Sequence, residues 1–169
     1  MKQKFPVVDA SSFVHDTAVI IGDVIIGKEC SVFPHAVIRG DQNHIAIDDG
    51  SNVQDCCVVH VNEEHPVLIG KHVSLGHASM VHGATIEDEC IIGIHSVILD
   101  GAIVKKGSII GANAVVTSGM IVPENSLVLG VPGKVVKQDE KYKIQALRNA
   151  MIYEQLAKQH KIGFFQRYK

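Results

Sequence analysis

Aliphatic residues recur at every sixth position along most of the chain. Two uninterrupted series carry this period: Val8, Val14, Ile20, Ile26, Val32 and Ile38, and then Ile92, Ile98, Val104, Ile110, Val116, Val122 and Val128. Two shorter series lie between them: Ile47, Val53 and Val59, and Ile69, Leu75 and Val81, with Ile86 one residue early. The phase slips after Ile38 and again after Val59, which predicts two small loops. A six-residue period held over this length is typical of a stacked repeat and not of a β-sandwich, whose strands alternate with a period of two.

The fourth residue after each aliphatic position is usually small. These positions hold Ser12, Ala18, Cys30, Ala36, Cys57, Ser79, Cys90, Ser96, Ala102, Ser108, Ala114 and Ser126. Because residues four apart on a strand face the same side, one large and one small inward residue recur in each rung. Glycine directly follows the aliphatic residue at Gly27, Gly70, Gly76, Gly93 and Gly111, which predicts either a positive φ or a close approach of backbone. The pattern predicts an all-β solenoid, a parallel β-helix of hexapeptide repeats with about six to seven coils.

The pattern changes after Pro132 and Gly133. Residues 139–161 are rich in Lys, Gln, Ala, Leu and Glu, which favours a helix. Apolar residues in this segment are spaced near the helical period: Ile144, Leu147, Met151 and Leu156. We expect an amphipathic C-terminal α-helix that packs on a side of the solenoid and covers apolar surface there. The expected organisation is a β-helix domain, residues 1–136, and a C-terminal helix and tail, residues 137–169.

Composition narrows the choice of partners. The chain has 169 residues, of which 20% are charged, and a net charge of −2, so one domain-sized core is expected and nothing predicts a nucleic-acid partner. No apolar run approaches the roughly 18 residues of a membrane-spanning helix, and residues 1–20 lack a signal-peptide core of about seven apolar residues. The four cysteines show no CxxC spacing, which favours reduced thiols in a cytoplasmic protein without a membrane partner.

Three of the ten histidines, His60, His77 and His82, fall on the repeat in a pattern that predicts a metal site. Imidazole nitrogen binds zinc at about 2.0 to 2.1 Å, and three protein ligands with one open position form the catalytic arrangement. Arg39, His60 and His82 occupy the same slot of rungs that stack in one column, so the two histidines should lie about 4.8 Å apart in backbone. His77 shares a slot with Asp55 in the neighbouring column, on another face. We therefore predict that His77 of a second copy completes the metal site, with three-fold closure into a trimer.

The motifs around these histidines resemble those of the γ-class carbonic anhydrases. The matching segments are NVQD ahead of His60, GH at Gly76 and His77, VHGA at His82, RGD at Arg39 to Asp41, ILDGA from Ile98, LVLGVPGKVV from Leu127 and the C-terminal helix with Tyr153. The resemblance implies a left-handed β-helix, a homotrimer, and zinc at the subunit interface, with Fe²⁺ or Co²⁺ as alternatives. It implies the reversible hydration of carbon dioxide to bicarbonate as the reaction.

The same resemblance implies roles for five further residues. Arg39, Asp41 and Asp55 would form ion pairs between subunits. Gln54 would hydrogen-bond the metal-bound water, and Tyr153 would reach the site from the helix. Gln54 and Tyr153 are therefore the catalytic candidates beside the three metal histidines.

The chain departs from the best-studied type of the family where that type places its proton shuttle. That type has an acidic residue directly after the RGD segment and a long acidic loop after the first histidine. This chain has Gln42 and only the short loop at residues 62–66, where Glu63, Glu64 and His65 are the available shuttle groups. Metal binding is therefore predicted more directly than rapid hydration.

Two other functional classes stay open at this point. Many hexapeptide β-helix proteins transfer acyl groups from coenzyme A with a histidine base, and a thioesterase acting on acyl-CoA is a related possibility. Such enzymes need one catalytic histidine and a cleft for coenzyme A, whereas this sequence predicts three converging imidazoles. A non-catalytic metal-binding subunit would keep the three histidines and lack a shuttle.

Overall fold

The hexapeptide rungs stack into a parallel β-helix of about seven coils, followed by one helix. The computed structural model describes residues 3–168. Its elements are β1 (Val7–Val8), β2 (Phe13–Val14), β3 (Val19–Ile26), β4 (Ser31–Val32), β5 (Val37–Ile47), β6 (Asn52–Val53), β7 (Val58–His60), β8 (Val67–Ile69), β9 (Ser74–Leu75), β10 (Met80–His82), β11 (Thr85–Ile86), β12 (Ile91–Ile92), β13 (Val97–Ile98), β14 (Ile103–Val104), β15 (Ile109–Ile110), β16 (Val115–Val116), β17 (Ile121–Val122), β18 (Ser126–Leu129), β19 (Lys134–Gln138) and α1 (Lys141–Lys161). The architecture matches the β-helix of hexapeptide repeats that the sequence predicted and the left hand that the family resemblance implied.

The strands form three faces, each a ladder of parallel strands. Face 1 contains the first half of β3 and of β5, then β7, β10, β13 and β16. Face 2 contains β1, the second half of β3 and of β5, then β8, β11, β14 and β17. Face 3 contains β2, β4, β6, β9, β12, β15 and β18, and β19 pairs antiparallel with β18 at its end. Each coil therefore contributes one rung to each face, and side chains at equal rung positions stack in columns.

The two phase slips have different structures. The slip after Val59 produces the expected loop, because no strand covers residues 61–66 between β7 and β8. The prediction of a loop after Ile38 was wrong, since β5 continues through this region to Ile47. There the extra residues bulge within the strand and the register against β3 shifts between Gly22 and Val24. Gly22, at φ 84°, lies so close to the carbonyl oxygen of Gly40 that a Cβ would overlap it.

The core confirms the predicted alternation of large and small inward residues. Large aliphatic side chains such as Ile38, Ile92 and Ile110 are fully buried. All the predicted small positions from Cys30 onward are at most 1% exposed. Burial raises the pKa of the Cys30 thiol to about 11 and that of Cys90 to about 12. These thiols stay protonated and serve as packing groups, because only a thiolate binds a metal well.

The glycines that follow the aliphatic residues allow neighbouring coils to approach closely. None of the five has a positive φ. A Cβ at Gly76 would lie 2.9 Å from the carbonyl oxygen of Ile92 in the next coil. Positive φ occurs two residues later, at corner residues such as Ala78 and His95. Of the two roles that the sequence left open, close approach is therefore the one that applies.

Helix α1 packs on face 3, where it contacts β2, β4, β6 and β9. The packing side of the helix differs from the predicted one. Ile144 and Met151 are 54% and 63% exposed, whereas the buried residues of α1 are Tyr142, Ala146, Ala150 and Ala157. The three alanines on this side let the helix backbone lie close to the flat sheet face. Ile144 and Met151 point away, and Leu147 and Leu156 are partly buried. Within residues 3–168, no helix is long and apolar enough to span a membrane.

Candidate metal site

His60 and His82 lie one above the other at the ends of β7 and β10. The parallel register pairs His82 with His60 and His60 with Arg39, as the rung count predicted. The ring centroids are 5.0 Å apart, and Nδ1 of His60 is 3.1 Å from Nε2 of His82. Two nitrogens bound tetrahedrally to one zinc ion would be separated by about 3.3 Å. The spacing of the two nitrogens therefore fits a shared metal ion.

A carboxylate lies against the other ring nitrogen of each histidine. Asp100 Oδ1 is 2.6 Å from Nδ1 of His82, and Asp41 Oδ1 is 3.0 Å from Nε2 of His60. Arg39 donates a hydrogen bond to Asp41, and this bond holds the pKa of the Asp41 carboxyl below its usual range. A carboxylate on the far nitrogen fixes the ring tautomer and makes the facing nitrogen a better metal ligand. The donor set therefore has the outer support typical of metal sites.

His77 lies at a different corner of the solenoid. It sits in the connection between β9 of face 3 and β10 of face 1, whereas His60 and His82 sit where face 1 turns into face 2. Asp55 Oδ2 is 2.8 Å from Nδ1 of His77, which leaves Nε2 free of a carboxylate. Within residues 3–168 of one chain, no three His, Cys, Asp or Glu side chains converge to hold a metal ion. One chain therefore presents two ligands at one corner and the third at another.

Gln54 lies beneath the turn that carries His77. It is 4% exposed, its Oε1 accepts the backbone N–H of His77 at 3.2 Å, and its Nε2 donates to Asn52 Oδ1 at 3.0 Å. Asn52 in turn donates to Ser74 Oγ at 2.8 Å. In the single chain, this buried network braces the His77 turn. The predicted hydrogen bond from Gln54 to a metal-bound water stays a prediction.

Tyr153 reaches His77 from helix α1. Its hydroxyl is 3.4 Å from Nε2 of His77, the nitrogen that has no carboxylate partner. Burial, with smaller contributions from Asp55 and Cys57, raises the pKa of Tyr153. The phenol is therefore protonated at neutral pH and can donate a hydrogen bond to Nε2 in the metal-free chain. With a metal ion on Nε2 that nitrogen no longer accepts, and the hydroxyl would stand beside the ligand ring instead.

The residues expected to form ion pairs between subunits have partners within the chain. Arg39 pairs with Asp41, and Asp55 pairs with His77. Pairs across a subunit boundary therefore stay a prediction. In the loop at residues 62–66, Asn62 Oδ1 accepts the backbone N–H groups of Glu64 and His65 at 2.9 and 2.8 Å. This fixes the loop as a tight turn beside the histidine pair.

Asp100 was missed by the sequence analysis. It lies one coil beyond His82, because Ile98 pairs with Val81 and the N–H of Gly101 donates to the carbonyl of Gly83 at 2.7 Å. Counting residues past each aliphatic position would have placed Asp100 beside Gly83, next to His82. The signal is therefore present in the rung arithmetic: Asp100 follows Ile98 by two residues, as Gly83 follows Val81.

Comparison with known proteins identifies the family. Sequence models described as "Bacterial transferase hexapeptide (six repeats)" and "Hexapeptide repeat of succinyl-transferase" match residues 83–118 and 66–93. "Gamma carbonic anhydrase 1, mitochondrial" of Arabidopsis thaliana is 41% identical over 102 residues, 57% of this chain and 37% of that protein. "Probable carbonic anhydrase" of Methanocaldococcus jannaschii is 55% identical over 141 residues, 83% of this chain and 89% of that protein. The chain belongs to the γ-class carbonic anhydrase family.

Solved structures similar to this γ-class chain carry names from a second chemical class. A crystal structure of a "hexapeptide transferase family protein" from Anaplasma phagocytophilum has a TM-score of 0.87 and 34% sequence identity. The match covers 90% of this chain and 91% of that chain. The fold is therefore shared across proteins named for different reactions, and the reaction must be argued from the site.

Proposed function

We propose that this γ-class protein is a metal-dependent carbonic anhydrase that hydrates carbon dioxide reversibly to bicarbonate at a site shared by two subunits of a homotrimer. The observation that carries the proposal is the 3.1 Å spacing between His60 Nδ1 and His82 Nε2, each ring backed by a carboxylate. The relatives named carbonic anhydrases support the choice of reaction.

The position of His77 supports a three-fold arrangement. Face 1 has His77 at one edge and the His60 and His82 pair at the other. Three copies closed with face 1 toward the axis would bring opposite edges of neighbouring subunits together. Rotation about the axis preserves height, and His77 and His82 belong to the same coil, so they would meet at one level. Each of the three sites would then take two histidines from one subunit and one from the next.

The outer surface of face 1 is suited to such an interface. Its outward column is apolar along the solenoid: Val19, Val37, Val58, Met80, Val97 and Val115. In the single chain Val19 is 44% exposed and Met80 is 40% exposed. An apolar surface of this length is typical of an interaction face, and the proposed trimer would bury it.

The residues fit a zinc ion, and Fe²⁺ or Co²⁺ would accept the same imidazole ligands. When bound, such a dication supplies hydroxide near neutral pH by lowering the pKa of water to about 7. Asp100 and Asp41 hold the rings of His82 and His60, and Asp55 holds His77 so that its Nε2 is presented. Gln54 braces the His77 turn, and the Tyr153 hydroxyl stands on the Nε2 side of that ring.

The experiment combines metal analysis, oligomer mass and stopped-flow hydration of carbon dioxide on the purified protein. We expect a trimer with about one metal ion per chain and hydration activity that His82→Ala abolishes together with metal binding. His15→Ala, which removes a histidine of the first coil, is the matched control and should change neither property. A monomer that holds stoichiometric metal through all three histidines would contradict the shared site. A metal-loaded trimer without hydration activity would refute the reaction and favour a metal-binding subunit.

Acyl transfer from coenzyme A is the second candidate, supported by the transferase names of the family models and of the Anaplasma structure. This candidate predicts release of free coenzyme A from acetyl-CoA. A transferase would release it only when an amine acceptor is added, and a thioesterase would release it in water alone. Release that survives removal of the metal by a chelator would favour this candidate. The proposed carbonic anhydrase predicts no such release.

A further inference from the structure

Phe33 lies at the junction between face 3 and helix α1. It follows β4 directly, is 5% exposed, and donates its backbone N–H to the carbonyl of Val53 at 2.9 Å. Its ring meets Tyr153 edge-on at a centroid distance of 5.5 Å and His160 edge-on at 5.7 Å. Phe13 also packs against Phe33, at a centroid distance of 5.8 Å. Phe33 is therefore a rigid wedge set between two side chains of the helix.

The two helix residues that grip Phe33 lie two turns apart on one side of α1, because seven residues separate Tyr153 from His160. The fully buried contacts of this half of α1 come from alanines, Ala150 and Ala157. Alanine offers no side chain that could interlock with the sheet and fix the axial position of the helix. The aromatic contacts around Phe33 supply this constraint beside the hydrogen bond between Glu154 and His72, since edge-to-face rings have a defined geometry.

The contact between Tyr153 and His77 depends on this axial position. The hydroxyl is 3.4 Å from Nε2 of His77, at the long end of hydrogen-bond range. A displacement of α1 by about 1 Å would break the contact, and misplacement on this scale can cost roughly 100-fold in rate.

We propose that Phe33 is a positioning residue that holds the Tyr153 hydroxyl over His77. The inference rests on the proposed function to the extent that it places Tyr153 and His77 in the active site. Phe33 does not touch His77, and it acts through the ring of Tyr153. His160, stacked on Phe13 at 5.2 Å, completes the clamp from the end of the helix.

A double-mutant cycle tests whether Phe33 acts through Tyr153. We expect Phe33→Leu to lower kcat for hydration roughly tenfold with KM and metal content unchanged. The double variant Phe33→Leu with Tyr153→Phe should match Tyr153→Phe alone, because the wedge has no role once the hydroxyl is gone. Phe5→Leu, at an exposed phenylalanine outside this cluster, is the matched control and should leave the activity unchanged. Multiplying losses in the double variant would overturn the proposal.

A second readout needs neither metal nor activity. In metal-free protein carrying ¹³C-labelled tyrosine, we expect a through-space NMR cross-peak between the rings of Tyr153 and His77, assigned by its loss in Tyr153→Phe. The peak should disappear in Phe33→Leu and persist in the control variant Phe5→Leu. Its persistence in Phe33→Leu would overturn the positioning role even if hydration is confirmed. If the peak is lost in Phe33→Leu and the parent protein proves to have no hydration activity, the positioning role is upheld and only the proposed function is refuted. If Phe33→Leu fails to fold, Phe33→Met keeps the apolar volume and is judged by the same peak.

Discussion

Replacing Asp100 with asparagine removes the negative charge behind His82 and keeps the shape of the side chain. The Asp100 oxygen lies 2.6 Å from Nδ1 of His82, at or just below the short end of the range for charge-assisted hydrogen bonds. Loss of such an outer partner costs about 10- to 100-fold in metal affinity, or about 1.4 to 2.7 kcal/mol. An asparagine oxygen still accepts the Nδ1 proton. The loss of zinc affinity should therefore be near tenfold for Asp100→Asn and near 100-fold for Asp100→Ala.

The assay is competition with a chelator of known zinc affinity, followed by metal analysis of the separated protein. Asp88→Asn is the matched control, because Asp88 accepts the backbone N–H of Lys71 on a corner away from the histidine pair. It should leave zinc affinity unchanged. Affinities of both Asp100 variants within about twofold of the parent protein would refute the reasoning that this carboxylate supports a metal ligand.

Three further predictions concern stability and turnover. A Cβ at Gly70 would lie 2.7 Å from the backbone nitrogen of Asp88. Gly70→Ala should therefore lower the free energy of unfolding, measured by urea denaturation, by about 1 to 3 kcal/mol. A loss under about 0.5 kcal/mol would contradict the close-approach role. The hydrogen bond from Lys141 lowers the pKa of Asp139, so the folded state favours the ionised carboxylate. The stabilisation from this carboxylate is present above about pH 4 and is lost as pH falls through the depressed pKa. Asp139→Asn should therefore lower Tm at pH 7 and show a shrinking deficit below about pH 4, whereas a deficit independent of pH would contradict this assignment. Because this chain lacks the long acidic loop of the best-studied type, added imidazole buffer should raise kcat for hydration severalfold in stopped-flow measurements. A flat response would show that an internal shuttle suffices.

The repeat could be predicted because each rung obeys the same local rule. A buried aliphatic residue, a small inward residue and a glycine at the tight approach recur with one period, so stacking followed from counting. The same counting placed His82 on His60, which the parallel register of β7 and β10 confirms. Column positions in this solenoid follow from counting rungs once the two phase slips are allowed for, and this is why part of the candidate site could be anticipated.

The features that counting missed depend on contacts between different elements. The bulge in β5 arises because β3 and β5 distort together at Gly22 and Gly40, which no single rung reveals. Helix α1 presents its alanines to face 3, although the spacing of Ile144 and Met151 predicted the opposite side. Periodicity shows that a helix has an apolar side, but the shape of the opposing surface decides which side packs. Phe33 carried no sequence signal because its role comes only from the docked helix.

A subunit-mixing experiment tests the shared metal site most directly. His77→Ala keeps His60 and His82, and His82→Ala keeps His77, so each variant alone should be inactive and metal-poor. In trimers re-formed from an equal mixture, a site is intact when His60 and His82 come from the first variant and His77 from the second. Random assembly gives this for about one site in four, so we predict recovery of about one quarter of the parent metal content and hydration activity. No recovery in mixed trimers, or a site complete within one chain, would contradict the account.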